Sequence, residues 1–489
     1  MVNWHAIIDF ISQWYWIPLT LMYLGVIITI LSENRNPSKS LAYILVIVFL
    51  PIAGLIVYYF VGKKPAFKKP VFDKKRLLDK YKTAQYFEQL KPKMEERLLL
   101  LENNIGDMAF PFRYLYNQGE SLISTGNTVS LLNNGEEMFP ALFTALENAC
   151  SHIHLEYYIF TPDEVGSRLA DILINKKKQG VEVRVIVDDV GSNQINRLSK
   201  KFKEAGVHFL KTLPVAFTSL ANSNYRNHRK IAIIDGCIGF IGGINIDERY
   251  WNNGKHKLYW RDTAVSIKGR AVNLLQVQFF LSWFFAGGHD DFAANKHYFK
   301  IPAEKEGHAI VAIAASGPGS EVPYIMETII LAISQAKKSI RINTPYFIPT
   351  DQLTSALVIA AANGIKVELI LPATSDSYIV QHASFSFIKP LLQRGVHIYL
   401  YEKGFIHSKT ISIDGVLSFV GTANMDVRSF YLNFEITSII HEPDLCHAME
   451  DSFEKDKQNS RLLTLEQWQN RSALHRGLDS ICRLLAALL

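Results

Sequence analysis

Two long apolar stretches near the N-terminus dominate the hydrophobic pattern of the chain. Residues 10–32 and residues 40–62 each run for 23 positions without a charged side chain. A helix needs roughly 20 apolar residues to cross the hydrocarbon core of a bilayer. Aromatic residues stand at the start of the first stretch and near the end of the second, where interfacial side chains belong. The pattern therefore predicts a two-helix transmembrane hairpin within residues 1–62.

Two other interpretations of these stretches are weaker. A cleaved signal peptide needs a basic start, and residues 1–9 contain no Lys or Arg. Buried core helices usually carry shorter apolar runs of about 10–14 residues. Seven Lys or Arg residues lie between 63 and 76, against two in the loop 33–39. The positive-inside rule then places both the N-terminus and the region after residue 62 in the cytoplasm, with the basic run against anionic head groups rather than merely solvated.

After a charged connector over residues 63–127, the pattern changes to short apolar runs that alternate with helical periodicity. Residues 151–160 and 180–188 read as strands, and residues 165–179 between them read as a helix. This βαβ order predicts an α/β fold with a parallel sheet covered by helices. Later segments repeat the strands of the first half, with 339–348 matching 151–160, 364–371 matching 180–188, and 394–400 matching 205–210. We therefore expect duplicated α/β domains, at about 128–300 and 301–489, that pack as a pseudo-twofold catalytic unit.

Composition narrows the class of protein without choosing a substrate. Hydrophobic residues make up 48% of the 489 residues and charged residues 20%, which is too apolar for a disordered chain. The net charge of +6 suits an anionic membrane surface or a nucleic acid equally well. The four Cys residues show no zinc-like or CxxC spacing, so a disulfide scaffold or a Cys-rich metal site is not expected.

A motif that occurs twice carries the chemistry. Both copies fit the pattern H-x-K-x4-D-x6-G-[GST]-x-N, and the corresponding positions of the two copies are 179 residues apart. The first copy contains His228, Lys230, Asp235, Gly242, Gly243 and Asn245, and the second contains His407, Lys409, Asp414, Gly421, Thr422 and Asn424. Two complete copies in matching halves predict one site at the seam between the halves.

Local geometry brings the motif residues together. A histidine and a lysine two positions apart on a strand face the same way. Asp235-Gly236 and Asp414-Gly415 are strong hairpin-turn signals, which would return Gly243 and Asn245, or Thr422 and Asn424, beside the same lysine. The two Asp residues are counted with the catalytic motif, although a turn or a structural ion pair is the more typical role at such a position.

The residue types suit phosphodiester chemistry. Two lysines offset charge on phosphate oxygens, one imidazole attacks phosphorus, and the other protonates the leaving alcohol. Asn245, Asn424, Gly243 and Thr422 are candidate phosphate-binding residues. Asp262 and Glu435 follow the motifs and are candidates to hydrogen-bond an imidazole and fix its tautomer. No metal cluster and no nucleotide-binding P-loop is evident in the sequence, so no cofactor is predicted.

The doubled motif resembles the HKD signature of the phospholipase D superfamily. With the N-terminal hairpin, the segments YRNHRK at 225–230, FIGGIN at 240–245, WRDT at 260–263, FIHSK at 405–409 and NMDVRS at 424–429 resemble bacterial cardiolipin synthases of the phospholipase D type. That resemblance implies conversion of two phosphatidylglycerol molecules to cardiolipin and glycerol through a phosphohistidine. It implies His228 as nucleophile and His407 as general acid, then base. It also implies a multi-pass protein of the bacterial cytoplasmic membrane that contacts anionic lipids and whose catalytic domains face the cytoplasm.

Other functions remain open at the level of sequence. A membrane-bound phospholipase D hydrolase would use the same residues with water as acceptor. The predicted transmembrane hairpin and the modest net charge of +6 disfavour a nuclease of the same superfamily, because nucleic-acid binders usually concentrate basic charge on one face. A scaffold with relic motifs is disfavoured because both copies are complete. Tyr157, Tyr158 and Tyr346 are expected in the core, as is usual for strand aromatics. The apolar segment 478–489 is expected to pack as a capping helix, and the alternative is that it enters the membrane interface.

Overall fold

The computed structural model describes residues 13, 14, 16–32, 37–59, 83–215, 224–289, 296–300, 307–318, 320 and 322–484. It divides into two compact units, one N-terminal and one containing both copies of the motif. The basic run 63–76 predicted to contact lipid lies outside the described residues, as do the outer ends of the two predicted spans and residues 485–489.

The N-terminal unit contains three helices, α1 (Trp16–Ser32), α2 (Pro37–Phe49) and α3 (Pro51–Val57). Ile30, Ile47 and Tyr58 form a small buried cluster among them. The second predicted span is divided at Leu50 because Pro51 begins a new helix, and proline cannot donate the hydrogen bond that would continue the preceding one. Among the described residues, no helix has both the length and the apolar content needed to cross a membrane.

The larger unit is built on a mixed sheet that joins the two halves. Its first-half strands are β1 (Ser124–Asn133), β2 (His152–Tyr157), β3 (Glu182–Asp188), β4 (His208–Thr212), β5 (Lys230–Ile234), β6 (Ile238–Gly242), β7 (Tyr259–Arg261) and β8 (Thr263–Lys268). The second half contains β9 (Ala309–Ser316), β10 (Ser339–Asn343), β11 (Phe347–Ile348), β12 (Lys366–Pro372), β13 (His397–Tyr401), β14 (Gly404–Ile406), β15 (Thr410–Ile413), β16 (Leu417–Gly421), β17 (Met425–Asp426), β18 (Glu435–His441) and β19 (Ser460–Leu462).

Helices cover both faces of this sheet. Those before and within the first half are α4 (Thr83–Ile105), α5 (Phe110–Asn117), α6 (Asn134–Glu147), α7 (Glu164–Lys178), α8 (Asn196–Glu204) and α9 (Val272–Phe285). Those of the second half are α10 (Tyr324–Gln335), α11 (Asp351–Ala362), α12 (Tyr378–Phe385), α13 (Ile388–Leu392), α14 (Val427–Tyr431), α15 (Pro443–Gln458), α16 (Leu465–Gln469) and α17 (Ala473–Leu484). The C-terminal helix α17 packs on α12, where the His382 imidazole lies 2.6 Å from the Asp479 carboxylate.

Strand order repeats outward from the centre of the sheet, as expected for a duplicated fold. In the described chain, 15 strands run in the order β19-β13-β12-β10-β15-β16-β18-β9-β1-β8-β6-β5-β2-β3-β4. The central pair β1 and β9 is antiparallel, and equivalent strands follow on either side. The halves therefore form one continuous sheet.

The expectation of a parallel sheet is correct only for the βαβ segments. Strands β2, β3 and β4 are parallel, and so are β10, β12 and β13. The motif hairpins make β5 and β15 antiparallel to their neighbours on both sides. A tight turn reverses the chain direction, so the motif itself imposes the antiparallel part.

The motif turns form as predicted. Asp235 and Gly236 both have positive φ, at 55° and 64°, and Asp414 and Gly415 have φ of 57° and 68°. Positive φ at both central residues defines the hairpin turn whose twist matches that of the flanking strands. Each turn places its hairpin so that the histidine and the asparagine of one motif copy reach the same end of the sheet.

Candidate active site

Two imidazoles meet at the seam between the halves, and each is held by a carboxylate of the opposite half. The His228 Nδ1 lies 2.9 Å and 3.0 Å from the two oxygens of Glu435. The His407 Nδ1 lies 2.6 Å from the Asp262 Oδ2. The contacts leave Nε2 of each ring as the nitrogen available to a substrate.

Backbone pairing between the halves explains this crossed arrangement. The His228 N–H donates to the carbonyl oxygen of Phe434 at 3.0 Å, and the His407 N–H donates to that of Arg261 at 2.7 Å. In each case the acceptor immediately precedes the carboxylate residue. Each motif histidine is thus fixed by a strand segment from the other half, so neither half alone contains a complete histidine–carboxylate pair.

The two lysines lie beside the imidazoles and are almost fully buried. The Lys230 Nζ donates to the carbonyl oxygen of His228 at 2.7 Å, and Lys409 makes the same contact with His407. Burial lowers the pKa of Lys230 to about 7, with a further decrease from Lys409 and an opposing effect of Glu435. Burial lowers the pKa of Lys409 to about 8 against the effect of Asp262 and Glu435. An anionic phosphodiester would favour the charged form of both lysines.

Burial also disfavours the charged form of both imidazoles. Burial lowers the pKa of His228 to about 4, although Glu435 opposes the decrease. Burial, reinforced by Lys409 and Lys230, lowers the pKa of His407 well below its ordinary value. A neutral imidazole is the form that acts as a nucleophile or a base.

The two carboxyl groups differ in their surroundings. Burial raises the pKa of Asp262 to about 6, and Lys409 opposes this. Burial also acts on Glu435, but His228, Lys230 and the Thr422 hydroxyl hold the pKa of its carboxyl below the ordinary value. Glu435 therefore ionises at a lower pH than Asp262 does.

Binding of an anionic phosphodiester is expected to weaken as pH rises through 7 to 8. Binding favours charged lysines, which prevail below their pKa values in the free protein and are lost above them. Between pH 6 and pH 9 the dissociation constant of glycerophosphoglycerol, a soluble phosphodiester, should increase roughly tenfold or more, since one pKa unit corresponds to a factor of ten. Isothermal titration calorimetry on the full chain measures this, and affinity that is unchanged or stronger at pH 9 would contradict it.

Gly243 and Thr422, predicted to bind phosphate, lie against the carboxylates. The Thr422 hydroxyl donates to Glu435 and is also hydrogen-bonded with the backbone of Ile436. At the equivalent position, a Cβ on Gly243 would overlap the Asp262 carboxylate. These contacts support a role in placing the carboxylates.

The two asparagines predicted to bind phosphate differ from each other. Both polar atoms of the Asn245 side chain are hydrogen-bonded within the protein. Its Oδ1 accepts from the Ile159 N–H, and its Nδ2 donates to the Tyr250 hydroxyl. The buried Oδ1 of Asn424 has no hydrogen-bond partner among the described residues. Asn424 therefore retains an unsatisfied group near the seam.

Asp235 and Asp414 lie at the other end of their hairpins from the imidazoles. The Asp235 carboxylate accepts from the backbone N–H groups of Cys150, Ser151 and His152 at 2.7–2.9 Å. Asp414 accepts in the same way from Lys337, Lys338 and Ser339 at 2.7–2.8 Å. Each carboxylate ties a motif turn to the start of a neighbouring strand, β2 or β10.

Replacing Asp235 with alanine is expected to lower stability more than chemistry. Loss of three hydrogen bonds to a charged acceptor should reduce the free energy of unfolding by about 2–3 kcal/mol. Turnover by the folded fraction should stay within about fivefold of the parent, as for changes that do not touch reacting groups. Chemical denaturation and initial rates check both, with Asp414→Ala as the matched variant. A loss of turnover of a thousandfold in stable protein would contradict the structural role.

The sequence interpretation missed several aromatic residues at the site. Tyr158, expected in the core, is half-buried, and its ring centroid lies 4.9 Å from that of His228. The ring centroids of Tyr250 and Trp260 lie 5.8 Å and 5.7 Å from that of His407, and the Tyr250 hydroxyl lies 3.3 Å from the His407 Nδ1.

The other two tyrosines expected in the core differ from each other. Tyr346 is half-buried and donates to the Asp376 carboxylate at 2.8 Å, whereas Tyr157 is buried as expected. The alternation of side chains along a strand did not predict that Tyr158 contacts His228, because Tyr158 follows the last residue of β2 and lies outside the sheet.

Comparison with protein families finds two matches. The model described as "Cardiolipin synthase, PLD-like domain" matches residues 142–279 and 329–457, which include both motif copies. The model described as "Phospholipase_D-nuclease N-terminal" matches residues 21–63. Both halves and the N-terminal helices therefore have counterparts in known families.

Similar curated proteins cover nearly the whole chain. A protein named cardiolipin synthase from Geobacillus kaustophilus is 37% identical over 478 residues, which is 96% of this chain and 92% of the relative. One named cardiolipin synthase 2 from Bacillus anthracis is 39% identical over 460 residues, 94% of this chain and 88% of the relative. Among solved structures, the phosphatidylserine synthase of Haemophilus influenzae Rd KW20 matches with a TM-score of 0.58 at 14% identity, covering 74% of this chain and 95% of that one. At that identity the structural match concerns the fold alone.

Proposed function

The chain belongs to the cardiolipin synthase family of the phospholipase D type, and on that premise we propose that it joins two phosphatidylglycerol molecules into cardiolipin and releases glycerol. The enzyme is a phosphatidyltransferase of this family. The observation that carries the proposal is the crossed pair of histidine–carboxylate contacts beside two buried lysines. Such a site contains a nucleophile, an acid–base group and cations for one phosphodiester.

The first half-reaction transfers a phosphatidyl group to the enzyme. The His228 Nε2 attacks phosphorus of one phosphatidylglycerol, and the bond from phosphorus to the glycerol oxygen breaks. His407 acts here as an imidazolium, a form that the negative charge of the bound phosphodiester and Asp262 favour, and it donates its Nε2 proton to the departing glycerol oxygen. Lys230 and Lys409 offset the negative charge that develops on the phosphate oxygens.

The second half-reaction releases cardiolipin. A hydroxyl of a second phosphatidylglycerol attacks phosphorus, His407 takes its proton, and the bond from phosphorus to His228 breaks. Glu435 and Asp262 hold each ring in the tautomer that presents Nε2, and they stabilise an imidazolium when it forms. One phosphodiester replaces another, so the sequence of steps needs no nucleotide.

Membrane attachment fits the N-terminal unit. Leu21, Ile28 and Leu31 of α1 are each more than 60% exposed, as is Ile52 of α3. Large apolar side chains exposed along helices mark a surface that contacts lipid or protein. We assign this unit to a hairpin in the bacterial cytoplasmic membrane, with the larger unit on the cytoplasmic side as the charge pattern predicts.

Product analysis in vesicles tests the proposed reaction. Purified full-length enzyme is incorporated into phosphatidylglycerol vesicles without nucleotide or added metal, and lipid products and released glycerol are measured together. Cardiolipin with equimolar glycerol is expected. Phosphatidic acid with glycerol would instead establish the hydrolase, in which water is the acceptor. No product from phosphatidylglycerol, with cleavage of an added oligonucleotide, would establish a nuclease.

A further inference from the structure

The hydroxyl of Tyr250 lies against a catalytic ring, although the mechanism above gives it no task. Tyr250 belongs to a short 3₁₀ turn, Glu248–Trp251, after β6, and the residue is 1% exposed. Its Oη lies 3.3 Å from the His407 Nδ1, and the centroids of the two rings are 5.8 Å apart. The hydroxyl can therefore act on His407 through Nδ1, the ring nitrogen that does not face the substrate.

Hydrogen bonds fix the direction in which this hydroxyl acts. The Asn245 Oδ1 accepts from the Ile159 N–H at 3.1 Å, so the amide nitrogen is the end that reaches Tyr250 and donates to its Oη at 2.8 Å. Burial raises the pKa of Tyr250 well above its ordinary value, with an added increase from Asp262, so the hydroxyl keeps its proton. A hydroxyl oxygen has two lone pairs, and the one that Asn245 does not use is left for the Nδ1–H of His407.

Two acceptors share the His407 Nδ1–H. The Asp262 Oδ2 lies 2.6 Å from Nδ1 and is the main acceptor, and the Tyr250 Oη at 3.3 Å is the weaker one. One N–H between two acceptors forms a three-centre bond, an arrangement that also occurs at helix termini. A charged donor makes the stronger hydrogen bond, so the second acceptor favours the imidazolium over the neutral ring. This contribution matters because burial and both catalytic lysines oppose a positive charge on His407.

The second half has no tyrosine at the equivalent position. The spacing of 179 residues continues past the motif, where an Asp and an Arg recur at the second and fourth positions after the asparagine in both copies. The same spacing aligns Tyr250 with Ser429, whose Oγ accepts from the Asn424 backbone N–H at 3.2 Å. Within the described residues, His407 therefore has a tyrosine contact at Nδ1 that the duplication does not repeat.

Thr422 supplies a hydroxyl near the other ring, but with a different target. It donates to the Glu435 carboxylate, which holds His228, whereas the position equivalent to Thr422 in the first half is Gly243. The hydroxyl near His228 thus acts on the carboxylate, and the hydroxyl near His407 acts on the imidazole itself. Two histidines in matching motifs are in this way given unequal surroundings.

We propose that Tyr250 is a positioning residue that makes His407 the acid–base group of the pair. By accepting a share of the Nδ1–H, it favours the imidazolium that protonates the departing glycerol. Asn245, predicted from the sequence to bind phosphate, instead holds the Tyr250 hydroxyl in place for this task. The inference rests on the proposed function and adds a structural reason for the division of labour between His228 and His407.

A comparison of two leaving groups on Tyr250→Phe tests the proposal. The full-length enzyme, in excess, receives either phosphatidylglycerol or a phosphatidyl donor with a p-nitrophenol leaving group in phosphatidylcholine vesicles. The release of glycerol or nitrophenol is followed in a single turnover. Glycerol needs a proton from His407 to depart, whereas p-nitrophenol leaves as the anion. Loss of the hydroxyl should lower the rate of glycerol release about tenfold, the usual scale for one hydrogen bond, and leave the nitrophenol rate within about twofold of the parent.

Two matched variants separate this effect from general damage. Tyr157→Phe removes the hydroxyl of another tyrosine that is 1% exposed, at the end of β2, and should leave both rates unchanged. Thr422→Val removes the hydroxyl that contacts Glu435 and acts through it on the nucleophile, so it should slow both leaving groups by the same factor. A tenfold fall in the ratio of glycerol to nitrophenol release that occurs in Tyr250→Phe and in neither control supports the proposal.

A ratio within twofold of the parent in Tyr250→Phe overturns the proposal, and so does an equal loss with both donors, which would mark the hydroxyl as structural only. Tyr250→difluorotyrosine keeps the hydroxyl in place and weakens it as an acceptor, because fluorine withdraws electron density. Glycerol release should again slow more than nitrophenol release, and an unchanged ratio would count against the proposal. Both rates concern the first half-reaction, so a parent enzyme that forms phosphatidic acid instead of cardiolipin would overturn the proposed function and leave this comparison valid.

Discussion

Replacing either His228 or His407 with alanine should lower the rate of cardiolipin formation by about 10⁴-fold or more, because each ring has a chemical task that no neighbour can take over. The two variants should differ when the leaving group is p-nitrophenol. That phenol leaves without a proton, so the His407 variant should still release about one equivalent of nitrophenol in a burst and then stop. The His228 variant should release none.

Rapid-mixing absorbance measurements separate these cases. His397→Ala, at an exposed position at the start of β13, is the matched control and should retain parent rates. Thermal unfolding confirms that each variant is folded. A burst in the His228 variant with none in the His407 variant would reverse the assignment of nucleophile and acid. Retained turnover in both variants would contradict a shared site.

Replacing Glu435 with glutamine should lower turnover by about 10³–10⁴-fold, as expected when the carboxylate that holds a catalytic imidazole loses its charge. Asp262→Asn should have a similar effect. Each change leaves the shape of the side chain almost unaltered, so the loss comes from the tautomer and charge of the partner ring. The Thr422 contact with Glu435 predicts a smaller loss in Thr422→Val, roughly tenfold, since one hydrogen bond to the carboxylate is removed.

The crossed pairing makes a specific prediction about which ring responds. Glu435→Gln should shift the ¹⁵N signals of His228 in histidine-labelled protein and leave those of His407 in place. Asp262→Asn should do the reverse. If each carboxylate affected the histidine of its own half, the crossed arrangement would be wrong.

Features set by short segments could be predicted from the sequence. The βαβ segments, the Asp-Gly turns and the convergence of histidine with lysine follow from strand alternation and turn chemistry within about 20 residues. Asp262 and Glu435 could be named as partners of imidazoles, but not assigned to one. That assignment depends on backbone pairing of Asn227 with Phe434 and of β14 with β7, between segments more than 140 residues apart.

Other differences also come from long-range packing. Gly243 and Thr422 look like loop residues that approach a ligand, yet the carboxylate of a neighbouring strand lies against each of them. The second apolar stretch reads as one span by composition, but Pro51 divides it into two helices. Residues 93–127, assigned to a connector, contribute Met94, Leu98 and Phe112 to the core of the second half. The helical spacing of Met94 and Leu98 and the proline at position 51 are visible in the sequence, but the surface that each segment contacts depends on packing between distant parts of the chain.

The covalent intermediate is the most direct test of the account. The His407→Ala enzyme is mixed with the p-nitrophenol donor, quenched at alkaline pH, where phosphohistidine is stable, and digested for peptide mass spectrometry. The account predicts a phosphatidyl group on the peptide that contains His228, in an amount equal to the nitrophenol burst, and none in His228→Ala. A burst without an adduct, or an adduct on any other residue, would contradict the mechanism in which His228 carries the phosphatidyl group between two lipids.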